Sequence, residues 1–211
     1  AVGAGSGTYM RYENWLRRLE SRAGSVVGVN GGVDAVRRDL YQPMRADQLP
    51  DFILPLCVVE QGFRVVYREE AVSREDSLGR QGDEYRMRVR VALRALHGLA
   101  DMRRLLSPRH GLFAFQLFVH KVLRYLLFVP LAAALAANLA LVGRPGYAWL
   151  FGAQAACYGL AAIGWLSGGR IHFRPVFVPF YFCLINVAAG EALARFLRGE
   201  RQVLWTPRKG A

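Results

Sequence analysis

Asp51 is the acid whose position most suggests chemistry. It follows Pro50 at the point where an apolar run, Phe52-Ile53-Leu54, takes up helical character. An acid there meets the positive end of a helix dipole, which is ordinary stabilisation. The same position also sets a carboxylate at the edge of an element, facing a cleft, where it can serve as a general base. Local sequence leaves both roles open. Asn30-Gly31-Gly32 is the second feature. Such a triplet makes a type I′ turn, or lets backbone approach a ligand where a Cβ would stand in the way. Arg88 and Arg90 are the third: guanidinium forks on a helix either grip a pyrophosphate or face solvent and lipid headgroups. The histidines, His97, His110, His120 and His172, lack ligand spacing, and Cys57, Cys157 and Cys183 form neither a C-x-x-C pair nor a disulfide framework. No metal site is expected from these residues. Walker, G-x-G-x-x-G, H-E-x-x-H and D-x-D patterns are absent.

The elements that must position these residues follow from periodicity. Tyr9, Tyr12, Trp15, Leu16 and Leu19 recur at helical spacing with Arg17, Arg18 and Glu20 on the other face, which predicts an amphipathic helix ending near residues 21–24. Residues 25–29 are β-branched, and with the glycine turn and residues 33–37 they predict a hairpin. A helix over 52–61 stops at Gly62, a strand covers 63–67, and a long arginine-dense helix covers 84–106. The first half, residues 1–111, therefore reads as part of an α/β domain.

The second half, residues 112–211, reads as membrane-associated. Glu191 and Glu200 are its only acids. Residues 125–142 and 147–166 carry no charge, and about 18 helical residues cover the hydrocarbon thickness. With Gly143-Arg144-Pro145-Gly146 between them they predict a transmembrane hairpin, anchored by Tyr147, Trp149 and Trp165. Residues 112–124 suit an interfacial helix. Residues 175–190, broken by Pro175 and Pro179, suit a re-entrant or interfacial segment with both ends cytoplasmic, with a third full span as the alternative. A net charge of +12 with 53% hydrophobic residues excludes a disordered chain. Nucleic acid is not expected as a partner, because the basic residues fringe apolar runs instead of forming one aromatic-interleaved patch. The opening residues lack a signal-peptide pattern.

An ordered set of short motifs carries a resemblance: Arg11-Tyr12-Glu13-Asn14-Trp15, Ser25-Val26-Val27-Gly28-Val29-Asn30-Gly31-Gly32, Val36-Arg37-Arg38, Asp51-Phe52-Ile53-Leu54-Pro55, Gly62-Phe63-Arg64-Val65-Val66-Tyr67, Phe113-Ala114-Phe115-Gln116-Leu117-Phe118, His120-Lys121-Val122-Leu123-Arg124 and Trp205-Thr206-Pro207. Together they resemble the C-terminal portion of membrane-bound family-2 glycosyltransferases, the cellulose-synthase-like and hyaluronan-synthase-like inverting enzymes. The resemblance implies the end of a GT-A-like α/β domain, with Asp51 as the catalytic base and Pro50 where the family carries a second acid. It implies that Arg88 and Arg90 fall in the family's Q-x-x-R-W region, that Asn30, Gly31 and Gly32 line the substrate, and that Trp205 and Arg208 belong to a tail closing over the nucleotide. The partners it implies are a nucleotide sugar, a lipid or polysaccharide acceptor, membrane lipids, and an upstream half or partner chain holding Mg or Mn. On that footing the chain is expected in the inner (plasma) membrane with its catalytic part cytoplasmic, and inactive alone. The contrasting expectation is a non-catalytic membrane scaffold or transporter module with a basic cytoplasmic domain.

Overall fold

The computed structural model describes residues 2–29, 31–72, 81–168, 170–171 and 173–202. Among them every regular element is helical: α1 (Val2–Ala23), α2 (Pro50–Glu60), α3 (Gln81–Asp101), α4 (Gly111–Leu117), α5 (Arg124–Leu126), α6 (Phe128–Ala140), α7 (Tyr147–Leu166) and α8 (Arg174–Leu197). A π-helical stretch, Phe118–Leu123, fuses α4 to α5, and 3-10 turns lie at Arg38–Leu40, Arg103–Leu106 and Pro108–His110.

The expected α/β domain is therefore corrected: no strand forms among the described residues. Residues 25–29 and 63–67 do run close together, joined by Val26 N–H to the Val65 carbonyl at 3.0 Å and by Ser25 Oγ accepting from Val65 N–H at 3.0 Å. A ladder needs successive donors on one side to reach the same neighbouring chain. Here Val27 N–H donates to the Glu20 carboxylate at 3.3 Å and Val29 N–H to the Asp51 carbonyl at 3.0 Å. Two unrelated acceptors have captured the donors on which a hairpin with residues 33–37 depended.

α1 forms as its periodicity predicts but is rotated against expectation. Tyr12, Trp15 and Leu19 are exposed, while Glu20 is buried and Glu13 and Arg17 are half-buried. Two polar anchors set that rotation: His120 Nδ1 donates to Glu20 Oε1 at 2.5 Å and Arg124 Nη1 to Glu13 Oε1 at 3.1 Å, while Arg17, one turn along α1, pairs with Glu13 at 3.7 Å.

α2 is buried along nearly its whole length, from Phe52 to Val58, as a helix apolar all round must be. Pro50 sits in its first turn, where a missing N–H costs nothing, and Gly62 (φ +82°) ends it. Its core combines Val27, Phe52, Ile53, Leu56, Leu105, Phe113 and Leu117. α3 crosses it at Gly98, where an added Cβ would stand 2.8 Å from Ile53 Cδ1. A second core forms where Val89, Ala92, Leu93 and Leu96 of α3 meet Ala188 and Ala192 of α8.

Two helices, α7 and α8, are long and apolar enough to cross a membrane, and a third span is available if the Pro108–Leu126 and Phe128–Ala140 segments count as one. That pair is bent by 56°. The bend falls at residue 127, close to the expected junction between the interfacial helix over 112–124 and the span over 125–142, where Pro130 supplies no N–H to the preceding turn. The break expected at the prolines of α8 is absent. Pro175 occupies the first turn and Pro179 removes a single backbone bond from a continuous 24-residue helix. Asn138 Nδ2 donates to Gln154 Oε1 at 2.8 Å, joining α6 to α7.

α7 and α8 close on a glycine. A Cβ at Gly164 would stand 2.5 Å from Phe180 Cβ. Replacing Gly164 by Leu is expected to destabilise the detergent-solubilised chain by about 1–3 kcal/mol in reversible unfolding, because the two backbones must separate. A variant as stable as the parent would mean that the contact is not formed.

Candidate functional site

Asp51 lies in the first turn of α2, half-buried, with Oδ1 enclosed and accepting no hydrogen bond among the described residues. It lines a small open pocket of about 260 Å³ with Pro50, Gly31 and Asp34. Gly31 approaches so closely that a Cβ there would lie 3.3 Å from both Cβ and Oδ2 of Asp51. The glycine is thus the residue type the carboxylate requires beside it. Burial raises the Asp51 pKa above the ordinary carboxylate value, and the charges of Lys121 and Arg94 oppose that rise.

The loop before Asp51 is clamped from several sides. Asp47 is buried and accepts from Arg45 Nε at 3.0 Å and Arg201 Nη1 at 2.6 Å. Asp101 accepts from Arg45 Nη2 at 2.6 Å and Gln48 Nε2 at 3.0 Å. Arg94 donates to the carbonyls of Ala46 at 3.1 Å, Asp47 at 3.2 Å and Gln48. His97 Nε2 meets the Glu200 carbonyl at 2.8 Å, so the chain leaving α8 is held beside this loop.

The structure brings only part of the expected site together. Asp51 and Gly31 share the pocket, and Gly32 is exposed in the adjoining turn. Asn30, Trp205 and Arg208 lie outside the described residues. Arg88 is engaged elsewhere: Nε donates to Glu84 Oε1 at 2.8 Å, Nη2 donates to Tyr181 Oη at 2.6 Å, and the guanidinium lies 5.7 Å from the Tyr181 ring centre. Arg90 is half-buried beside Arg94, whose positive charge it feels. Beside Arg88, Tyr85 Oη donates to Glu191 Oε2 at 2.5 Å. Burial and that bond push the phenol up to about 12, so it remains a donor at neutral pH.

Arg94, Lys121 and Asp34 are the charged residues that surround Asp51 without having been assigned a role from sequence. Arg94 had a signal, being one helical turn beyond Arg90 on α3. Lys121 stands within the quoted His120-Lys121-Val122-Leu123-Arg124 motif. Asp34 had none.

A larger groove of about 700 Å³ adjoins at Asp34, walled by α1, α2 and the extended segments. Its arginines hold the walls together: Arg18 pairs with Glu69 at 2.5 Å, and Arg64 donates to the Gly24 and Ser21 carbonyls at 2.7 Å each. Among the described residues no three acidic, histidine or cysteine side chains converge as cation ligands. No protein-family model, curated protein or solved structure matches the chain.

The raised Asp51 pKa makes its ionised form a cost to folding. Stability linked to this group is present below the ordinary carboxylate pKa and is lost as pH rises through the folded value. Asp51→Asn is therefore expected to raise thermal stability relative to the parent at neutral pH, with the gain shrinking on acidification. An equal difference at both pH values would show that Asp51 carries no such linkage.

Proposed function

We propose that this chain is the acceptor-side and membrane portion of an inverting glycosyltransferase that uses a nucleotide sugar and a lipid or polysaccharide acceptor. The observation that carries the reading is the half-buried Asp51 carboxylate beside a small open pocket that it lines with Gly31 and Asp34, its enclosed Oδ1 having no hydrogen-bond partner among the described residues. Burial makes it a stronger base than an ordinary surface carboxylate. In the step proposed, Asp51 takes the proton of an acceptor hydroxyl, that oxygen bonds to the anomeric carbon, and the nucleoside diphosphate leaves with the electron pair of the broken bond. Arg90, next to Arg94, is the arginine proposed to approach the diphosphate. Arg88 is left to hold α3 against α8.

The rival reading is a non-catalytic membrane module. In its favour, Arg88 is engaged by Glu84 and Tyr181. The rival leaves the unengaged Asp51 oxygen without a purpose.

For the membrane, the proposal is a cytoplasmic-face protein of the inner membrane. The α6–α7 hairpin crosses, and its turn at Gly146 lies outside. The cluster of Tyr85, Glu84, Arg88, Tyr181 and Glu191 beside Trp165 contains charges that hydrocarbon would not tolerate, so it marks the headgroup level. That level falls part-way along α8, and because α8 is one continuous helix, a cytoplasmic Gly199 is proposed with the whole of α8 lying at a shallow angle to the membrane.

In the complete enzyme, Asp51→Asn is expected to lower kcat by about 10²–10⁴ while nucleotide-sugar binding is retained, since the amide keeps the shape but takes no proton. Retained turnover would return Asp51 to a helix-start acid. A cysteine placed at Gly146 is expected to label from outside intact cells and one at Gly199 is not. Labelling of both would overturn the interfacial course of α8.

A further inference from the structure

Lys121 lies on the π-helical stretch, whose widened turn re-aims side chains compared with a regular helix. Its ammonium sits 5.0 Å from the centre of the Phe52 ring, and a Cβ at Gly28 would stand 3.1 Å from Nζ. Gly28 and Gly31 therefore form two close approaches three residues apart, one to the ammonium and one to the Asp51 carboxylate. Between them Val29 N–H donates to the Asp51 carbonyl, which pins this segment to the start of α2. Among the described residues the Lys121 ammonium makes no ion pair or hydrogen bond, and the Phe52 ring is its close partner.

From this arrangement we infer that Lys121 is a positioning residue for Asp51: seated on Phe52, the ring next in sequence to Asp51, its charge keeps the carboxylate ionised and ready to accept a proton. The inference deepens the reading of Asp51 as base and rests on it. An ammonium paired directly with a carboxylate has its field largely cancelled. One held on an aromatic face keeps that field, and weak solvent screening lets it act on a neighbouring buried acid.

The other charges have been placed. Asp51 faces Arg94 from α3, Asp34 from the 31–36 segment and Lys121 from the π-helix. Arg94 is occupied by the loop carbonyls, and Asp34 opposes ionisation of Asp51. Burial lowers the Lys121 pKa and Arg124 of its own helix adds to that, while Glu13 and Glu20 of α1 and Asp51 itself favour the charged ammonium. Glu20 is held by His120 and Val27 N–H, and Glu13 by Arg17 and Arg124.

The test compares Lys121→Met, which keeps length and removes charge, with Lys121→Arg, which keeps charge. In the complete enzyme Lys121→Met is expected to cost about tenfold in kcat at neutral pH, with activity recovering as pH rises, because the acid limb moves upward. Lys121→Arg is expected to retain the parental limb. A purely structural role would lower activity equally at all pH values, and that result overturns the inference.

A second measurement does not need activity. The carboxyl carbon of Asp51, assigned by its loss in Asp51→Asn, is titrated by NMR in the full detergent-solubilised chain. In Lys121→Met its midpoint is expected at higher pH than in the parent, with the remaining aspartate signals unmoved. An unmoved midpoint overturns the inference. If Asp51→Asn leaves transfer intact, the base reading falls, and this titration alone decides whether Lys121 controls the charge of Asp51.

Discussion

The arrangement around Asp51 hangs from the seam between α3 and α8. Two fully buried alanines, Ala188 and Ala192, let α8 approach Val89, Ala92 and Leu93 closely enough to exclude water. Small residues on one helix against branched ones on the other give dense packing, which is where dispersion contacts accumulate. Because α8 returns along α3, its C-terminal end reaches His97 and Asp47. The carboxylate of Asp47 is satisfied from both sides of that junction, by Arg45 and by Arg201. Without the seam, Asp47 would be a buried acid short of a partner, and the loop that delivers Asp51 would lose its clamp.

The opposite wall is held by polar groups. α1 meets the π-helical stretch through Glu20 with His120 and through Glu13 with Arg124. Buried carboxylates are costly unless bonded, so these contacts specify a single rotation of α1 even though that rotation leaves Tyr12, Trp15 and Leu19 facing outward. The same Glu20 takes the Val27 N–H, which connects the rotation of α1 to the irregular backbone of residues 25–29. The local polar contacts here outweigh the burial of three large side chains within this chain.

Asp51 stands where these two constraints meet. α2 supplies a rigid apolar cylinder, Gly31 allows the carboxylate to be covered, and Gly28 allows the Lys121 ammonium to lie against the same segment. The cover leaves the enclosed Oδ1 without a donor among the described residues, and buried polar atoms seldom stay unpartnered without a reason in structure or chemistry.

Sequence by itself determined the helices, because 3.6-residue periodicity, Pro50 and Gly62 act over distances shorter than a helix. The apolar composition of α7 likewise identified it as a membrane-length helix, since length and hydrophobicity need no tertiary partner to be read, whereas the prolines of α8 concealed from the sequence that it is one continuous helix of that kind. Sequence also placed Asp51 in the first turn of α2. Only the tertiary structure decided the rest. The β-branched run at 25–29 was read as a strand, yet a strand exists only when a neighbour takes its donors in order, and Glu20 and Asp51 took them instead. The amphipathic pattern of α1 told which residues share a face, but which face turns inward depended on His120 and Arg124, a hundred or more residues from their partners. Arg88 and Arg94 look alike in sequence. The fold sends one to Tyr181 and the other to the loop before Asp51, because position along α3 decides which neighbour each guanidinium can reach.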